Sequence, residues 1–290
     1  MLVYQVLIAF KAPETRAFHS ARDIILYALA VGAGADLPSP IALPFVYENG
    51  LKPLPSFYNV LSWPSNAWLH ELGIDMSRLV HGAERVEIFK PVPAEGGIVT
   101  RPRIARVLDR GTGKGLILEV VVDVHSSNDD LLLARSVSSL FAMGDGGLEG
   151  APPAERSQLP PLPDRPPEGS IDVPTRNDQA ALYRLCGDMN PIHIDPDAAR
   201  LLGLQTPLLH GLCTLGICVH AMARLFPAIA DGMTSGFETR FRAPVFPGET
   251  LTIDYWTDDD GIRFETRVGD RLVLTGGSIG FAARVGKGGH

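Results

Sequence analysis

The chain has 290 residues, of which 45% are hydrophobic and 20% charged, and a formal net charge of −7. That length accommodates one large domain or two of ordinary size, and the composition is that of a soluble globule with a proper core. Mild acidity without any Lys/Arg run speaks against a nucleic-acid-binding surface, and no apolar run is long enough to span a membrane.

Taken in chain order, the first strong signal is SARDIILYALAVGAG (20–34). Ser20 with Asp23 forms a capping signal, followed by an apolar helix containing Leu-Tyr-x-Leu. LPSFYNVLSW (54–63) is expected as the central helix of the first half. KPVPAEGGI (90–98) is a turn between strands, and the glycine-rich DRGTGKG (109–115) is another. LILEVVVDV (116–124) is nearly continuous apolar, as expected for a strand buried on both faces.

Residues 151–170 contain seven prolines, which make a stiff, extended segment poor in core residues. The expected organisation is an N-terminal unit over 1–150, a linker over 151–172 and a C-terminal unit over 173–290. The second unit repeats the signals of the first. TRNDQAALYRLCGDMN (175–190) opens on Thr175 with Asp178 and again carries Leu-Tyr-x-Leu, and APVFPGETL (243–251) matches the turn at 90–98. In HGLCTLGICVHAMARLF (210–226), Leu212, Leu215, Val219, Met222 and Phe226 form an apolar helical stripe. FETRFRAPV (237–245) alternates, with Phe237, Phe241 and Val245 on one face, and IRFETRV (262–268) alternates too. Two matching halves, each with one long helix and several antiparallel strands, predict an internally duplicated α+β architecture.

Chemistry concentrates in CGDMNPIH (186–193). Gly187 suits a helix end and Pro191 prevents continuation, so Asp188, Asn190 and His193 lie on a rigid overhang. A carboxylate and an imidazole that converge there would form an acid/base pair acting on one water. Asp-x-Asn-Pro is also a good turn sequence on its own. The matching stretch of the first half, LYALAVGAGAD, keeps the helix without the polar residues. That difference favours one active site per duplicated pair. Cys186, Cys213 and Cys218 make neither a disulfide framework nor a zinc pattern, and Cys186 and Cys213 are expected as small core residues. No signal peptide is evident and VGKGGH (285–290) is not a peroxisomal tripeptide, so a reducing compartment, the cytoplasm, is expected. His193, Asp195 and His210 lack the paired spacing of a metal motif, and no metal is expected.

YRLCGDMNPIHIDPDAA, followed by LLHG, resembles the signature of the type 2, R-specific enoyl-CoA hydratases of the MaoC-like group. LYALAVGAG, LPSFYNVL, LVHGAERVEIFKPVPAEG and VLDRGTGKG resemble the N-terminal half of its two-domain members. The resemblance runs from about residue 20 to 283. It implies a double hotdog fold, two units each with a long helix wrapped by an antiparallel sheet. It further implies reversible hydration of a trans-2-enoyl-CoA to the (3R)-3-hydroxyacyl-CoA, without a cofactor. Asp188 and His193 match the catalytic pair, with Asn190 in support and the Gly211 N–H for the thioester oxygen. Met189, Pro191 and Ile192 go with them to the substrate surface. His81 and Gly82 match a CoA-contacting pair, Phe241 falls where an aromatic lines the ligand, and Arg110 stands where a lysine is expected. The N-terminal unit would accommodate a bulky acyl chain. The only partner expected is the acyl-CoA substrate, in a monomer or homodimer. Two rivals are weighed against this: an acyl-CoA thioesterase on the same fold, and a non-catalytic acyl-CoA binder.

Overall fold

The structure, a computed structural model, describes residues 2–152 and 162–282. Ten strands form one sheet: β1 (Thr15–His19), β2 (Leu79–Ile88), β3 (Gly96–Asp109), β4 (Leu116–Ser126), β5 (Leu132–Ala142), β6 (Gly169–Pro174), β7 (Thr234–Phe241), β8 (Thr250–Asp258), β9 (Gly261–Val268) and β10 (Arg271–Phe281). The helices are α1 (Tyr4–Ala9), α2 (Ala21–Ala30), α3 (Leu43–Val46), α4 (Tyr58–Ser62), α5 (Gln179–Arg184), α6 (Pro196–Leu201), α7 (Gly211–Leu225) and α8 (Pro227–Ala230).

The strand order is β1-β3-β4-β5-β2-β7-β10-β9-β8-β6, and every neighbouring pair is antiparallel. Read inward from either edge the pattern is the same: a short first strand, then the third, fourth and fifth, then the second. That palindrome is the duplication inferred from the sequence, written in hydrogen bonds. The halves join where β2 pairs β7, with Ala83 opposite Arg240 and Glu87 opposite Gly236. The fold is an α+β double hotdog.

α7 is the hub. Every residue from Leu212 to Ala223 is buried, so the helix is enclosed all round rather than on one stripe. Its first turn meets the end of α2 from the other unit, where Ala30 O accepts from Gln179 Nε2 at 2.8 Å and lies 3.6 Å from Cys213 Sγ. The first half has no equal of α7. Its expected long helix breaks into a 3-10 turn (Pro55–Phe57), the five-residue α4 and a second 3-10 run (Trp63–Leu72). Pro64 fits the break: it has no backbone N–H with which to continue the α ladder beyond Trp63, which itself keeps α angles (φ −62°, ψ −46°).

Of three local expectations, one holds and two are corrected. Ser20 and Asp23 do form a capping box at the start of α2, with Asp23 Oδ2 accepting from the Ser20 N–H at 2.9 Å. Thr175 does not cap α5, because its hydroxyl donates to Glu249 O at 2.7 Å and accepts from the Gly248 N–H. β4 is not buried on both faces. Leu116, Leu118, Val120, Val122 and Val124 point into the core, while Glu119 and Asp123 on the other face meet Arg106, Arg103 and Arg135. Of the proline-rich stretch, 153–161 lies outside the described residues, and 169–172 already belong to β6. Among the described residues no helix is long and apolar enough to cross a membrane.

Candidate active site

α5 ends at Arg184, and Gly187 turns the chain at φ +134°, a conformation that disfavours any residue with a Cβ. The overhang that follows is built from Asx hydrogen bonds. Asp188 Oδ1 accepts from the Asn190 N–H and Asn190 Oδ1 accepts from the Ile192 N–H, each at 3.2 Å. Pro191–His193 then form a single 3-10 turn. The turn reading holds, and it leaves room for the acid/base reading because the two use different atoms: Asp188 spends Oδ1 on the turn and leaves Oδ2 facing His193 Nε2 at 3.9 Å.

The His193 ring is buried, and its Nδ1 sits 2.8 Å from the carbonyl oxygen of Leu208. A carbonyl can only accept, so Nδ1 carries the hydrogen and Nε2 presents a lone pair. Burial lowers the His193 pKa, opposed by the Leu208 hydrogen bond and by the Asp188 carboxylate. Near neutral pH the imidazole is therefore an uncharged base. Leu208 is held in turn by its N–H to Ile192 O, and Leu209 by its N–H to Val245 O at 2.7 Å.

Gly211 opens α7, and among the described residues its N–H has no acceptor. A Cβ at this position would lie 3.1 Å from the Phe241 ring, so glycine permits the ring to lie flat over the helix start. Free N–H groups and the positive end of a 15-residue helix make this the place in the site for a developing negative charge. Phe241 also reaches His81, ring to ring at 4.9 Å. His81 Nε2 lies 3.0 Å from Glu84 Oε2, and Glu84 is buried and accepts from Ser136 and Ser138. Gly82 sits at the bulge where β2 slips against β5.

The structure thus assembles two clusters from the expected residues, Asp188 with His193 and Gly211 with Phe241 and His81. Asn190 stands apart from the pair's chemistry, its side-chain oxygen being used as a cap. Met189 is mostly exposed and its carbonyl accepts from Arg184, while Pro191 and Ile192 form the turn. Arg110 lies over the Phe141 ring at 5.1 Å, and Phe141 pairs with Val80 beside His81. Burial pushes the Cys186 thiol up to about 12 and raises that of Cys213 well above its ordinary value, so neither is a thiolate nucleophile.

The sequence reading missed His210 as part of the site. It is buried, stacks on His193 with ring centroids 3.6 Å apart, and places Nε2 3.1 Å from the Asp188 carbonyl oxygen. Its place directly before Gly211 was the available signal. Donor atoms of Asp188, His193 and His210 lie within 4.8 Å of one another, a spacing open to a metal ion. The geometry does not suit one. The rings are only 22° from parallel with centroids 3.6 Å apart, so their lone pairs lie in nearly parallel planes that do not converge on one ion, and one nitrogen of each already donates to a carbonyl.

A neutral imidazole facing a carboxylate, beside a helix N-terminus with a free N–H, makes a candidate acid/base site next to a place that favours negative charge, on a double hotdog scaffold. Comparison with known proteins gives the family. Residues 18–144 match the MFE-2 hydratase 2 N-terminal domain, and residues 158–276 match the MaoC like domain. The chain is 37% identical to 3-hydroxyacyl-thioester dehydratase Y of Mycobacterium tuberculosis, covering 90% of this chain and 92% of that one. It is 34% identical to the peroxisomal enoyl-CoA hydratase 2 of Arabidopsis thaliana, covering 93% of both. The full-length peroxisomal multifunctional enzyme type 2 of Drosophila melanogaster superposes with a TM-score of 0.78 at 32% identity, over 92% of this chain and 48% of that one. The chain thus spans about half the length of that multifunctional enzyme. It belongs to the MaoC-like, type 2 enoyl-CoA hydratase family, in the two-unit form.

Proposed function

We propose that the chain catalyses the reversible addition of water to a trans-2-enoyl-CoA, giving the (3R)-3-hydroxyacyl-CoA. The observation that carries this is the 3.9 Å gap between Asp188 Oδ2 and His193 Nε2, with the imidazole tautomer fixed by Leu208. The gap is too long for a direct hydrogen bond and suits a bridging water. Both atoms are acceptors, so a water between them donates one hydrogen to each and turns its lone pairs outward to the substrate.

His193 Nε2 takes one proton as the water oxygen bonds to the β-carbon. The electrons of the double bond move to the thioester oxygen, where the Gly211 N–H and the α7 dipole stabilise the charge. The imidazolium, held by the Asp188 carboxylate, then returns its proton to the α-carbon on the same face. One water is added and the pair is regenerated.

The CoA portion is placed against His81, Gly82 and Phe241, with Arg110 beyond as the charge for a phosphate. For the acyl tail we propose the cavity of about 410 Å³ on the α2-facing side of α7. Val31, Gly32 and Ile41 of the first unit line it together with Ile217, Ala221 and Leu225 of the second. Ile217 lies six residues, about 9 Å, along α7 from Gly211. The units are taken as 1–150 and 173–290. A monomer holds a complete site, a homodimer adds none, and the three free cysteines fit the cytoplasm.

The test is incubation with crotonyl-CoA, following enoyl-thioester absorbance and free thiol in parallel. Loss of absorbance without thiol release is the expected result. Thiol release in step with the loss makes the chain a thioesterase, and neither signal with bound ligand makes it a binder.

A further inference from the structure

His210 has no role in the mechanism above, yet it is among the most enclosed polar side chains of the molecule, with 1% of its surface exposed. Three contacts define it. Its ring lies face to face with His193 at 3.6 Å and 22°. It also meets the Tyr183 ring, tilted by 50° at 4.8 Å. Its Nε2 donates to the Asp188 carbonyl at 3.1 Å, which leaves Nδ1 as a lone pair, buried and without a partner.

The covalent position adds the fourth fact. His210 is the residue before Gly211 and the N-cap of α7, but its side chain makes no capping hydrogen bond. It reaches back across 22 residues of sequence to the overhang instead. The side chain that begins the oxyanion helix therefore grips the backbone of the residue that orients the water.

We infer that His210 is a positioning residue of the hydration reaction: its ring keeps water off the face of His193 and holds that ring in plane, and its Nε2–H ties the Asp188 backbone to the start of α7. The inference rests on the hydratase reading of the site. Without the stack, solvent would reach one face of His193, and the ring could tilt about its Leu208 hydrogen bond. Without the tie, the overhang would be joined to the oxyanion N–H only through the Ile192 and His193 hydrogen bonds to Leu208, three residues before Gly211, and Asp188 itself would lose its link to the start of α7. A displacement of about 1 Å between reacting groups costs on the order of 10²-fold in rate.

Charge bears on the same arrangement. The charged groups acting on the stack are Asp188 on the overhang and Arg184 on α5, with the Tyr183 ring packed on His210. Burial, and after it the neighbouring His193, lower the His210 pKa to about 3. His210 thus stays neutral while charge develops on His193, whose own pKa is lowered first by burial. Removing the ring relieves that burial, so the His193 pKa rises towards its ordinary value. The acid limb of the rate profile, which follows the neutral base, then moves to higher pH.

The two functions of the side chain separate by substitution. His210→Phe keeps a ring face and loses the donor; His210→Gln keeps a donor and loses the ring; His210→Ala loses both. Each is assayed for crotonyl-CoA hydration across pH 4–9, with folding checked by thermal melting and the His193 ring titrated by NMR without substrate. The expected result is a 10- to 100-fold loss of kcat in His210→Ala with KM changed less than about threefold. The His193 midpoint and the acid limb both move upward in His210→Ala and His210→Gln and stay in place in His210→Phe. Folded variants that keep kcat within twofold, or that lose it with the His193 midpoint unmoved in His210→Ala, overturn the inference. For a variant too unstable at acid pH, kcat at pH 7 decides: a folded variant within twofold of the unsubstituted chain overturns the inference. Absence of hydration by the unsubstituted chain is a different outcome, which refutes the function and leaves the NMR test of the stack standing.

Discussion

Asp188→Asn replaces one oxygen by nitrogen and little else. The turn survives, because Oδ1 can still accept from the Asn190 N–H, now at 3.2 Å. What changes is the second atom, 3.9 Å from His193 Nε2. An amide nitrogen there donates where the water also donates, and the charge that steadies the imidazolium is gone. A hydrogen bond to a charged group contributes about 1.5–3 kcal/mol, and loss of a positioned acid/base partner costs about 10²–10⁴-fold in rate. Those figures overlap at roughly 3 kcal/mol, or about 10²-fold, as the minimum expected loss of kcat. The assay is the decay of enoyl-thioester absorbance under saturating crotonyl-CoA, with thermal melting as the control for folding. A folded variant within threefold of the unsubstituted kcat would remove Asp188 from the mechanism.

Other predictions concern the rest of the architecture. Gly211→Val places branched carbons where a single Cβ already lies 3.1 Å from Phe241; kcat/KM should fall by about 10²-fold as the thioester loses its approach to the N–H, as steady-state kinetics would measure. Ala221→Phe should fill the cavity beside α7 and lower kcat/KM for a long-chain enoyl-CoA at least tenfold more than for crotonyl-CoA; equal losses would place the tail elsewhere. Leu215→Ala, at a fully buried position of α7, should cost about 2–5 kcal/mol in urea unfolding. Acid should destabilise the fold through histidines kept neutral by burial. His210 and His220 have pKa values lowered to about 3 and about 4, so at pH 5 the unfolded chain binds protons that the folded chain does not. Stability therefore falls as pH drops below about 6.5, by roughly 2 kcal/mol per histidine between pH 7 and pH 5. Urea unfolding at both pH values measures it, and His220→Gln should remove about one histidine's share of the difference.

The duplication was legible because it is local. Ser20 with Asp23, the repeated Leu-Tyr-x-Leu and the twin turns at 90–98 and 243–251 lie within short windows, and the palindromic sheet follows from repeating them. The overhang was legible for the same reason: Gly187, Pro191 and the polar residues between fit inside one turn. What the sequence concealed depends on partners far along the chain. Thr175 has the spacing of a cap, but the turn at 246–249 claims its hydroxyl. β4 looks apolar throughout, yet three arginines from β3 and β5 hold its outer face at the surface. His210 looks like a loop residue until the fold lays it on His193. Pro64 was visible, but its consequence, a broken central helix in the first unit, went unread because the matching helix of the second unit is unbroken.

The measurement that reaches the central claim most directly is the stereochemistry of the product. Crotonyl-CoA and a long-chain trans-2-enoyl-CoA are each incubated with the chain and coupled to either an R-specific or an S-specific 3-hydroxyacyl-CoA dehydrogenase. One water held by Asp188 and His193 on one face of the double bond predicts a single stereoisomer, and membership of the R-specific family makes it the one oxidised by the R-specific enzyme alone, with the signal abolished by Asp188→Asn. Product oxidised by the S-specific enzyme, or hydration that persists undiminished in Asp188→Asn, would contradict the account.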